Sequence, residues 1–412
     1  MLKVIPSPFD VLTIRKDFPL LNVNVNGKKL VYLDNGATTQ KPQVVIDAIL
    51  NYYSSQNANV HRGVHSLSQT ATLLYDAART TIQKQLNAAH AEEIIFTKGT
   101  TDSINLLAST FEKNFINAND EIIISEMEHH SNIVPWQILC EKKGAVLKVV
   151  PVTDAGEIML DDYKKLFNSN TKFVSITHVS NTLGTVNPAR KMIEFAHQKG
   201  VLVCLDGAQA VPHMTVDVQE LDCDFYAFSG HKLFGPTGVG ILFGKKKLLQ
   251  KLPPYQSGGG MIKTVSFQQT EYADLPQKFE AGTPNIEGAI ALGVAIDYLN
   301  KIGLKSIHQH ESELLHYATK QLENIAGLKI IGTAKNKASV ISFVIEGVHP
   351  FDVGTILDKL GIAVRTGHHC NQPLMQRFGI PGTVRASFAF YNTMDEVDAF
   401  VEGVKKAMKM LK

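Results

Sequence analysis

The sequence predicts an α/β fold in which a mainly parallel sheet is followed by a smaller C-terminal α/β unit. Between about residues 35 and 244, short apolar runs rich in β-branched residues alternate with amphipathic stretches, as strands and helices do in such sheets. From about residue 290 a long helical pattern leads into a second, compact region of strand and helix. Polar residues follow several of the apolar runs, at the strand ends where open α/β sheets bind ligands.

Six apolar runs are predicted to be strands, at residues 121–125, 146–152, 173–177, 201–206, 225–228 and 238–243. A helix between two of them is marked at both ends. Asn187 is its predicted N-cap, Pro188 suits its first turn, and Gly200 suits a left-handed residue after its end. A second helix is predicted at 70–86. Its apolar residues recur at helical spacing and are predicted to lie in the core: Leu73, Leu74, Ala77, Ala78, Ile82 and Leu86.

The domain boundary is predicted near residue 295. Residues 253–276 contain two adjacent prolines and three adjacent glycines, and they are predicted to form a loop over a surface or an interface. The last helix begins with Thr393 and Glu396 in a capping-box arrangement. We therefore expect a large domain at 21–295 and a small domain at 296–412, with residues 1–20 packed beside the small one.

Composition excludes several classes of protein. The 41 basic and 39 acidic residues leave a formal charge of +2 without a block of like charges, so no nucleic-acid partner is expected. The four cysteines are scattered and none forms a CxxC pair, which favours a reducing compartment. No apolar run approaches the roughly 18 residues that a membrane helix needs, and polar residues and prolines interrupt the N-terminus. We expect a cytoplasmic protein with no membrane partner and no signal peptide.

Lys232 lies in Ser229-Gly230-His231-Lys232, a polar turn directly after an apolar run. Taken alone, a surface lysine in a glycine-containing turn is the commoner explanation. Asp206 also ends an apolar run, and a buried carboxylate needs a cationic or hydrogen-bonding partner. An amine can condense with an aldehyde, and a carboxylate can keep a pyridine nitrogen protonated. The pair therefore predicts a pyridoxal 5′-phosphate site.

Two weaker signals fit the same cofactor. Thr100 and Thr101 precede a helical pattern, and hydroxyls with free amides at a helix N-terminus suit a phosphate, although simple capping explains many such turns. His129 follows the 121–125 run and can stack on a flat ring, although a histidine at a strand end is more often only hydrogen-bonded.

Together these motifs resemble the fold-type-I pyridoxal-phosphate enzymes, specifically class V aminotransferase-like proteins, from about residue 33 to the C-terminal region. The resemblance implies a mainly parallel seven-stranded sheet in the large domain. It implies that Lys232 is the Schiff-base lysine, that Asp206 pairs with the ring nitrogen and that Gln209 bonds the phenolic oxygen. His129 would stack on the ring and act in catalysis. The implied phosphate ligands are Thr100, Thr101, Ser229 and His231.

The resemblance also implies a homodimer. In the family a threonine of the neighbouring subunit completes the phosphate site, and Thr283 in Ala281-Gly282-Thr283-Pro284-Asn285 matches that motif. His61 and Arg62 match family residues that line the site.

Cys370 ends the polar loop Arg365-Thr366-Gly367-His368-His369-Cys370, and three interpretations compete. A structural thiol would want apolar neighbours, which this loop does not offer. A zinc site is disfavoured because contiguous His-His-Cys does not readily wrap one tetrahedral ion. A reactive thiolate fits best, because the histidines and Arg365 favour the ionised form on an accessible loop. No metal site is therefore expected.

The loop closely resembles that of class II, Suf-type cysteine desulfurases, a group that includes selenocysteine lyases. Asn371 departs from the alanine common after that cysteine. Arg385 matches the arginine that binds the substrate carboxylate bidentately, and Asn181 matches the asparagine that assists the carboxylate and the ring oxygen. Arg365 is a further predicted substrate-binding residue.

The resemblance implies an activity. L-cysteine, or L-selenocysteine, would be the substrate, Lys232 would move the Cα proton, and Cys370 would take the sulfur as a persulfide while L-alanine leaves. A SufE-like or zinc-containing SufU-like acceptor would then receive the sulfur for iron–sulfur cluster assembly. An aminotransferase with the same cofactor and a scaffold without catalysis are the alternatives.

Overall fold

The computed structural model describes residues 9–412, and the statements below concern those residues. The strands in chain order are β1 (Asn24–Val25), β2 (Lys28–Lys29), β3 (Val31–Tyr32), β4 (Ile94–Thr97), β5 (Glu121–Ser125), β6 (Val146–Val150), β7 (Thr171–Thr177), β8 (Leu202–Asp206), β9 (Phe225–Ser229), β10 (Gly240–Gly244), β11 (Ile262–Val265), β12 (Thr270–Tyr272), β13 (Leu328–Ile331), β14 (Val340–Ile345), β15 (Ile362–Ala363), β16 (Arg365–Gly367) and β17 (Thr383–Ser387). The α-helices are α1 (Val11–Arg15), α2 (Gln43–Asn51), α3 (Ser66–Gln85), α4 (Thr100–Asn114), α5 (Val134–Lys143), α6 (Leu160–Lys165), α7 (Ala189–Gln198), α8 (Val218–Leu221), α9 (Lys246–Lys251), α10 (Ile286–Ile302), α11 (Leu304–Glu323), α12 (Pro350–Lys359), α13 (Gln372–Phe378) and α14 (Met394–Leu411).

The larger sheet has seven strands in the order β4-β10-β9-β8-β7-β5-β6. Five strands, from β9 to β6 in that order, pair in parallel, whereas β10 is antiparallel to both of its neighbours. The central strands β5, β9 and β10 are buried along their whole length, because helices cover both faces. The predicted mainly parallel seven-stranded sheet is confirmed, and the strand absent from the six predicted runs is β4.

The parallel strands end at one edge of this sheet. Ser125, Thr177, Asp206 and Ser229 are the last residues of β5, β7, β8 and β9. Because parallel strands share a direction, these four ends lie side by side. The segments that follow them carry five predicted site residues: His129, Asn181, Gln209, His231 and Lys232.

The start of α7 differs from the prediction. Pro188 is its N-cap residue, and Asn187 does not cap it: its Oδ1 has no hydrogen-bond partner in residues 9–412, while its Nδ2 donates to the main-chain oxygen of Thr177 at 2.8 Å. Gly200 has φ +72°, so the predicted left-handed residue after the helix is confirmed.

Helix α3 forms where it was predicted, but its buried face is narrower. Ala78, Ile82 and Leu86 are buried, whereas Leu73 is 71% exposed and Ala77 is also exposed. The prediction that Leu73 and Ala77 lie in the core was wrong, because apolar residues extend around α3 beyond the side that packs on α10. One face of α3 therefore offers apolar surface to water.

The predicted loop at 253–276 contains a hairpin. Strands β11 and β12 pair antiparallel, and most of their side chains are exposed. Sequence patterning missed them because neither strand has a buried face that would impose alternation of polar and apolar residues.

The smaller sheet has four antiparallel strands in the order β13-β14-β17-β16 and packs against α11, α12 and α14. The predicted capping box of Thr393 and Glu396 starts α14 and is confirmed. Strand β3 pairs in parallel with β15, and Asp34 bridges to Ser387, so the chain after β3 joins the smaller sheet.

Helix α1 lies beside this unit, where Arg15 pairs with Glu396 at 2.6 Å. Residues 1–8 of the segment predicted to pack there lie outside the described residues. Helix α10 runs without interruption across residue 295, and the division of the chain near that residue stays a prediction. No helix between residues 9 and 412 is long and apolar enough to cross a membrane.

Candidate active site

A cavity of about 370 Å³ lies where the carboxyl edge of the seven-stranded sheet meets the smaller sheet. Its walls bring together most of the predicted site residues: Thr100, Thr101, His129, Asn181, Asp206, Gln209, Ser229, His231, Lys232, Arg365, Cys370 and Arg385. A larger groove of about 700 Å³ lies along α1 and α14 but is lined by none of them. The smaller cavity is therefore the candidate active site.

Lys232 and Asp206 face this cavity from adjacent strands. Lys232 ends the helical turn that follows β9, and Asp206 is the last residue of β8. Burial lowers the pKa of Lys232, although the charge of Asp206 opposes that shift. Burial raises the pKa of Asp206, and its Oδ1 accepts a hydrogen bond from the N–H of Ala208 at 3.0 Å. A carboxyl held this way is suited to a cationic ring nitrogen.

His129 supplies a neutral ring. Burial, reinforced by the charge of Lys232, lowers its pKa to about 3. Its Nδ1 accepts a hydrogen bond from the main-chain N–H of Ser131 at 3.1 Å, which leaves the proton on Nε2. A neutral imidazole on the cavity wall fits the predicted stacking on a flat ring.

The N-terminus of α4 forms one end of the cavity. The N–H of Thr100 donates to Ser229 Oγ at 2.9 Å, and the hydroxyls of Thr101 and Ser131 lie 2.7 Å apart. Gly99 precedes the helix and packs directly on β10, where a Cβ on Gly240 would lie 2.3 Å from Gly99 Cα. Hydroxyls and a helix N-terminus gathered in this way suit a phosphate.

Several neighbours of the site escaped prediction. Ser131 lines the cavity, and its place two residues after His129 was the available signal. Burial lowers the pKa of Lys41 to about 7, and its Nζ donates to the main-chain oxygen of His231 at 2.9 Å.

His231 is neutral because burial and the charge of Lys232 lower its pKa to about 4. Gln209 lines the cavity while its Nε2 donates to the oxygen of Gly36 at 2.7 Å.

Asp34 organises the opposite end of the cavity, and this too was missed. Arg365 contacts it through Nε at 3.1 Å and Nη2 at 2.7 Å. Arg385 lies 3.3 Å from Asp34 through Nη2, and its Nη1 donates to the main-chain oxygen of Asn181 at 3.0 Å. Burial lowers the pKa of Arg385, and Asp34 opposes that shift. The Nε of Arg385 is buried without a hydrogen-bond partner in residues 9–412, and Nη1 and Nη2 each keep a second N–H, so donors remain for a carboxylate.

Cys370 lies between β16 and α13 and reaches the same cavity. It is exposed, whereas Cys140, Cys204 and Cys223 are buried. The side-chain amide of Asn181 donates to the main-chain oxygen of His369 at 2.7 Å, so this residue contacts the cysteine loop as well as the cavity. Nowhere in residues 9–412 do three or more His, Cys, Asp or Glu side chains form a group that could hold a metal ion.

Three predicted site residues do not reach the cavity of their own chain. Thr283 is exposed and lines a separate cavity of about 610 Å³. His61 is exposed, with its ring centroid 5.8 Å from that of Tyr75, and Arg62 is exposed beside it. Within one chain these residues are therefore not part of the site.

The residues present fit pyridoxal 5′-phosphate. The amine of Lys232, the buried carboxyl of Asp206 and the neutral ring of His129 face one cavity, and hydroxyls cluster at its helix end. Because Asp206 is buried, its carboxylate needs a cationic or hydrogen-bonding partner, which a protonated ring nitrogen would supply.

Comparisons with known proteins agree with this geometry. The family model described as Aminotransferase class-V matches residues 31–400. A cysteine desulfurase of Synechococcus elongatus is 52% identical over 398 residues, which cover 97% of this chain and 64% of that protein. A cysteine desulfurase of Yersinia pseudotuberculosis is 50% identical over 404 residues, which cover 98% of this chain and 99% of that protein.

A solved structure of a cysteine desulfurase is also similar to this chain. The crystal structure of the cysteine desulfurase CsdA from Escherichia coli has a TM-score of 0.92 at 38% identity and covers 98% of this chain and 100% of its own. The chain spans only 64%, 65% and 58% of the relatives from Synechococcus elongatus, Mycobacterium leprae and Mycolicibacterium paratuberculosis. On the extent of the family match and on its site, the chain belongs to the aminotransferase class-V family of pyridoxal 5′-phosphate enzymes.

Proposed function

We propose that the chain is a cysteine desulfurase, which converts L-cysteine to L-alanine and takes the sulfur onto Cys370. One observation carries the proposal: the exposed thiol of Cys370 lines the same small cavity as Lys232 and Arg385. An aminotransferase needs the amine and the guanidinium but has no use for a thiol there. The relatives named cysteine desulfurase support the same reaction.

In this proposal Arg385 binds the substrate and Lys232 transfers its proton. Arg385 binds the substrate carboxylate through guanidinium N–H groups that Asn181 and Asp34 leave free, and Asp34 holds the guanidinium in place. Pyridoxal phosphate, when bound, supplies the electron sink that lowers the barrier to removing the Cα proton. The Lys232 amine takes that proton, and burial helps because it lowers the pKa of the amine and so favours the basic form.

Cys370 performs the sulfur transfer. Its thiolate forms a bond to the sulfur of the substrate, and the carbon–sulfur bond of the substrate breaks. The electron pair of that bond passes to carbon, which takes up a proton and leaves as the methyl group of L-alanine. The enzyme retains a persulfide, so one thiol and one cysteine become one persulfide and one alanine without an external oxidant.

The working unit in this proposal is a homodimer. Thr283, His61 and Arg62 are exposed and lie outside the cavity of their own chain, which is where residues that serve a neighbouring subunit would lie. Exposed apolar residues on the same part of the surface support the pairing: Tyr53, Val64, Leu67 and Leu73. A SufE-like or SufU-like protein then receives the sulfur from Cys370 and passes it toward iron–sulfur clusters.

Mass spectrometry after addition of L-cysteine tests the reaction. We expect one sulfur atom on the peptide that contains Cys370, with alanine formed in step. A Cys370→Ala variant should keep the visible absorbance of the cofactor and lose turnover of cysteine, whereas Cys140→Ala, the matched control, should keep both. Unchanged turnover in Cys370→Ala would remove the proposed role. Lys232→Ala should lose the absorbance of the lysine-bound cofactor.

L-selenocysteine is a second proposed substrate, because the same groups would bind it and selenium leaves more readily than sulfur. Comparing the two substrates in Cys370→Ala separates a lyase that does not need the thiol from a desulfurase that does. An aminotransferase would instead require a keto-acid acceptor and would release no sulfide.

A further inference from the structure

The backbone at Cys370 adopts a conformation that needs support. His369 has φ +53° and Cys370 has φ +56°, so two consecutive residues with side chains lie in the left-handed region. Such residues are uncommon outside glycine, and they persist only when the surrounding structure over-determines them. The contacts of the loop therefore matter for where the thiol lies.

Residues 127–130, the turn after β5, provide that support from the larger sheet. The main-chain N–H of His130 donates to the oxygen of Cys370 at 2.7 Å. The side-chain amide of Asn371 donates to the oxygen of Met127 at 2.9 Å. The N–H of Gln372 donates to the His130 ring at Nε2 over 3.1 Å. Three consecutive residues of the cysteine loop are thus bound to one turn.

Asn371 is the side chain that closes this contact. It is fully buried, and its Nδ2 must face Met127 because a main-chain oxygen can only accept. Its Oδ1 is buried without a partner in the described chain, so Asn371 was not placed here by its acceptor. The donor is what the site uses.

We propose that Asn371 is a positioning residue that fixes the Cys370 thiol relative to the cofactor pocket by tying the strained loop to the 127–130 turn. The inference rests on the proposed function, in which Cys370 takes the sulfur. The same turn carries His129, so the ring-stacking residue and the loop that carries the thiol share one support. An alanine at this position would offer no such donor.

Loss of the donor should leave substrate binding intact. In the proposed function Arg385, which lies on β17 outside the loop, binds the carboxylate, and Thr100, Asp206 and Lys232 of the cofactor cavity also lie outside the loop. The thiol would sample positions away from the substrate sulfur, so sulfur transfer should slow while the KM for cysteine stays nearly constant.

The test uses the holoenzyme of wild type, Asn371→Asp and Asn371→Ala. Asn371→Asp keeps the shape of the side chain but replaces the donor by an acceptor, and Asn371→Ala removes the group without adding charge. We expect amide hydrogen exchange across residues 365–375 to rise about tenfold and kcat to fall about tenfold, as for a buried hydrogen bond lost. Asn324→Asp is the control, because Asn324 donates to a main-chain oxygen on the exposed end of α11.

Each outcome decides the matter. Faster exchange with lower kcat and a KM within about twofold supports the positioning role. Unchanged exchange in Asn371→Ala, or faster exchange with unchanged kcat, overturns it. If the wild-type enzyme forms no persulfide on Cys370, the proposed function fails, and the exchange of the loop then still reports whether Asn371 holds it.

Discussion

Arg385 donates a hydrogen bond from Nη1 to the main-chain oxygen of Asn181 at 3.0 Å, and this contact joins β17 to the loop after β7. The guanidinium therefore links the smaller sheet to the larger one. Its Nη2 faces Asp34, and its Nε has no partner within residues 9–412. Nη1 and Nη2 thus each use one N–H for orientation, and each has a second N–H left for a ligand.

Replacing Arg385 by lysine should weaken the use of cysteine. An ammonium group cannot contact Asn181, Asp34 and a carboxylate in the same geometry. Because a hydrogen bond to a charged group is lost, we expect kcat/KM for L-cysteine to fall about 10- to 100-fold, mainly through KM. Steady-state kinetics measure the change. Arg190→Lys, on the exposed side of α7, should show no change, and an unaltered KM in Arg385→Lys would contradict the assignment.

Glu280→Ala should destabilise the chain strongly. Arg79 and Glu280 form a buried ion pair, with Nη1 2.8 Å from Oε1 and Nη2 2.9 Å from Oε2. Removing the carboxylate leaves a buried guanidinium unpaired, so the free energy of unfolding should fall by about 3–5 kcal/mol. Urea denaturation measures it. Glu402→Ala breaks a surface pair with Lys405 and should cost less than about 1 kcal/mol, and similar losses in the two variants would refute the distinction.

Thr393→Ala should weaken the start of α14. The Thr393 hydroxyl accepts a hydrogen bond from the N–H of Glu396, and the Glu396 carboxylate accepts one from the N–H of Thr393. Loss of the cap should lower the free energy of unfolding by about 1 kcal/mol. Thr393→Ser keeps the hydroxyl and should stay within a few tenths of wild type. Equal stability of the alanine and serine variants would show that the cap contributes nothing.

His178 should make stability depend on pH. Burial lowers its pKa from 6.5 to about 4, and its Nδ1 lies 3.1 Å from the hydroxyl of Tyr226. The unfolded chain then binds the proton more readily than the folded one. The contribution of His178 is therefore fully present above pH 6.5 and is lost as the pH falls toward 4.

Between pH 7 and pH 5 this loss should reach about 2 kcal/mol. Denaturant midpoints of wild type and His178→Gln at both pH values isolate it, because glutamine keeps a polar group near Tyr226 but does not titrate. Parallel losses in the two proteins would exclude His178 as the cause.

The sequence predicted most strands of the larger sheet because their runs are apolar and β-branched, and apart from the edge strand β6 these runs are mostly buried. The prediction failed where a long-range contact decided the outcome. Asn187 has the residue type of an N-cap, yet its amide donates to the oxygen of Thr177 at the end of β7 and its Oδ1 accepts no hydrogen bond within residues 9–412. Strand β4 was missed; it has four residues and lies at an edge of the sheet.

Within the site, the motifs around Lys232 and Cys370 were visible because each is contiguous in the chain. Asp34 was not, because its partners Arg365 and Arg385 lie 331 and 351 residues away. Nor could residue patterns reveal that the Asn371 amide reaches Met127, since that contact depends on how the two sheets meet. Short sequence motifs therefore reveal the residues that carry the chemistry, whereas the residues that orient them depend on tertiary packing.

Because only one of the four cysteines is exposed, the folded chain should react with thiol reagents at a single site. Cys140, Cys204 and Cys223 are buried, and burial raises the pKa of each, to about 11 for Cys140. Cys370 alone among the four is exposed. A polar alkylating agent should therefore label one sulfur in the native chain and four after denaturation. A fluorophore or crosslinker can thus be attached at the proposed sulfur-carrying position without removing any other cysteine.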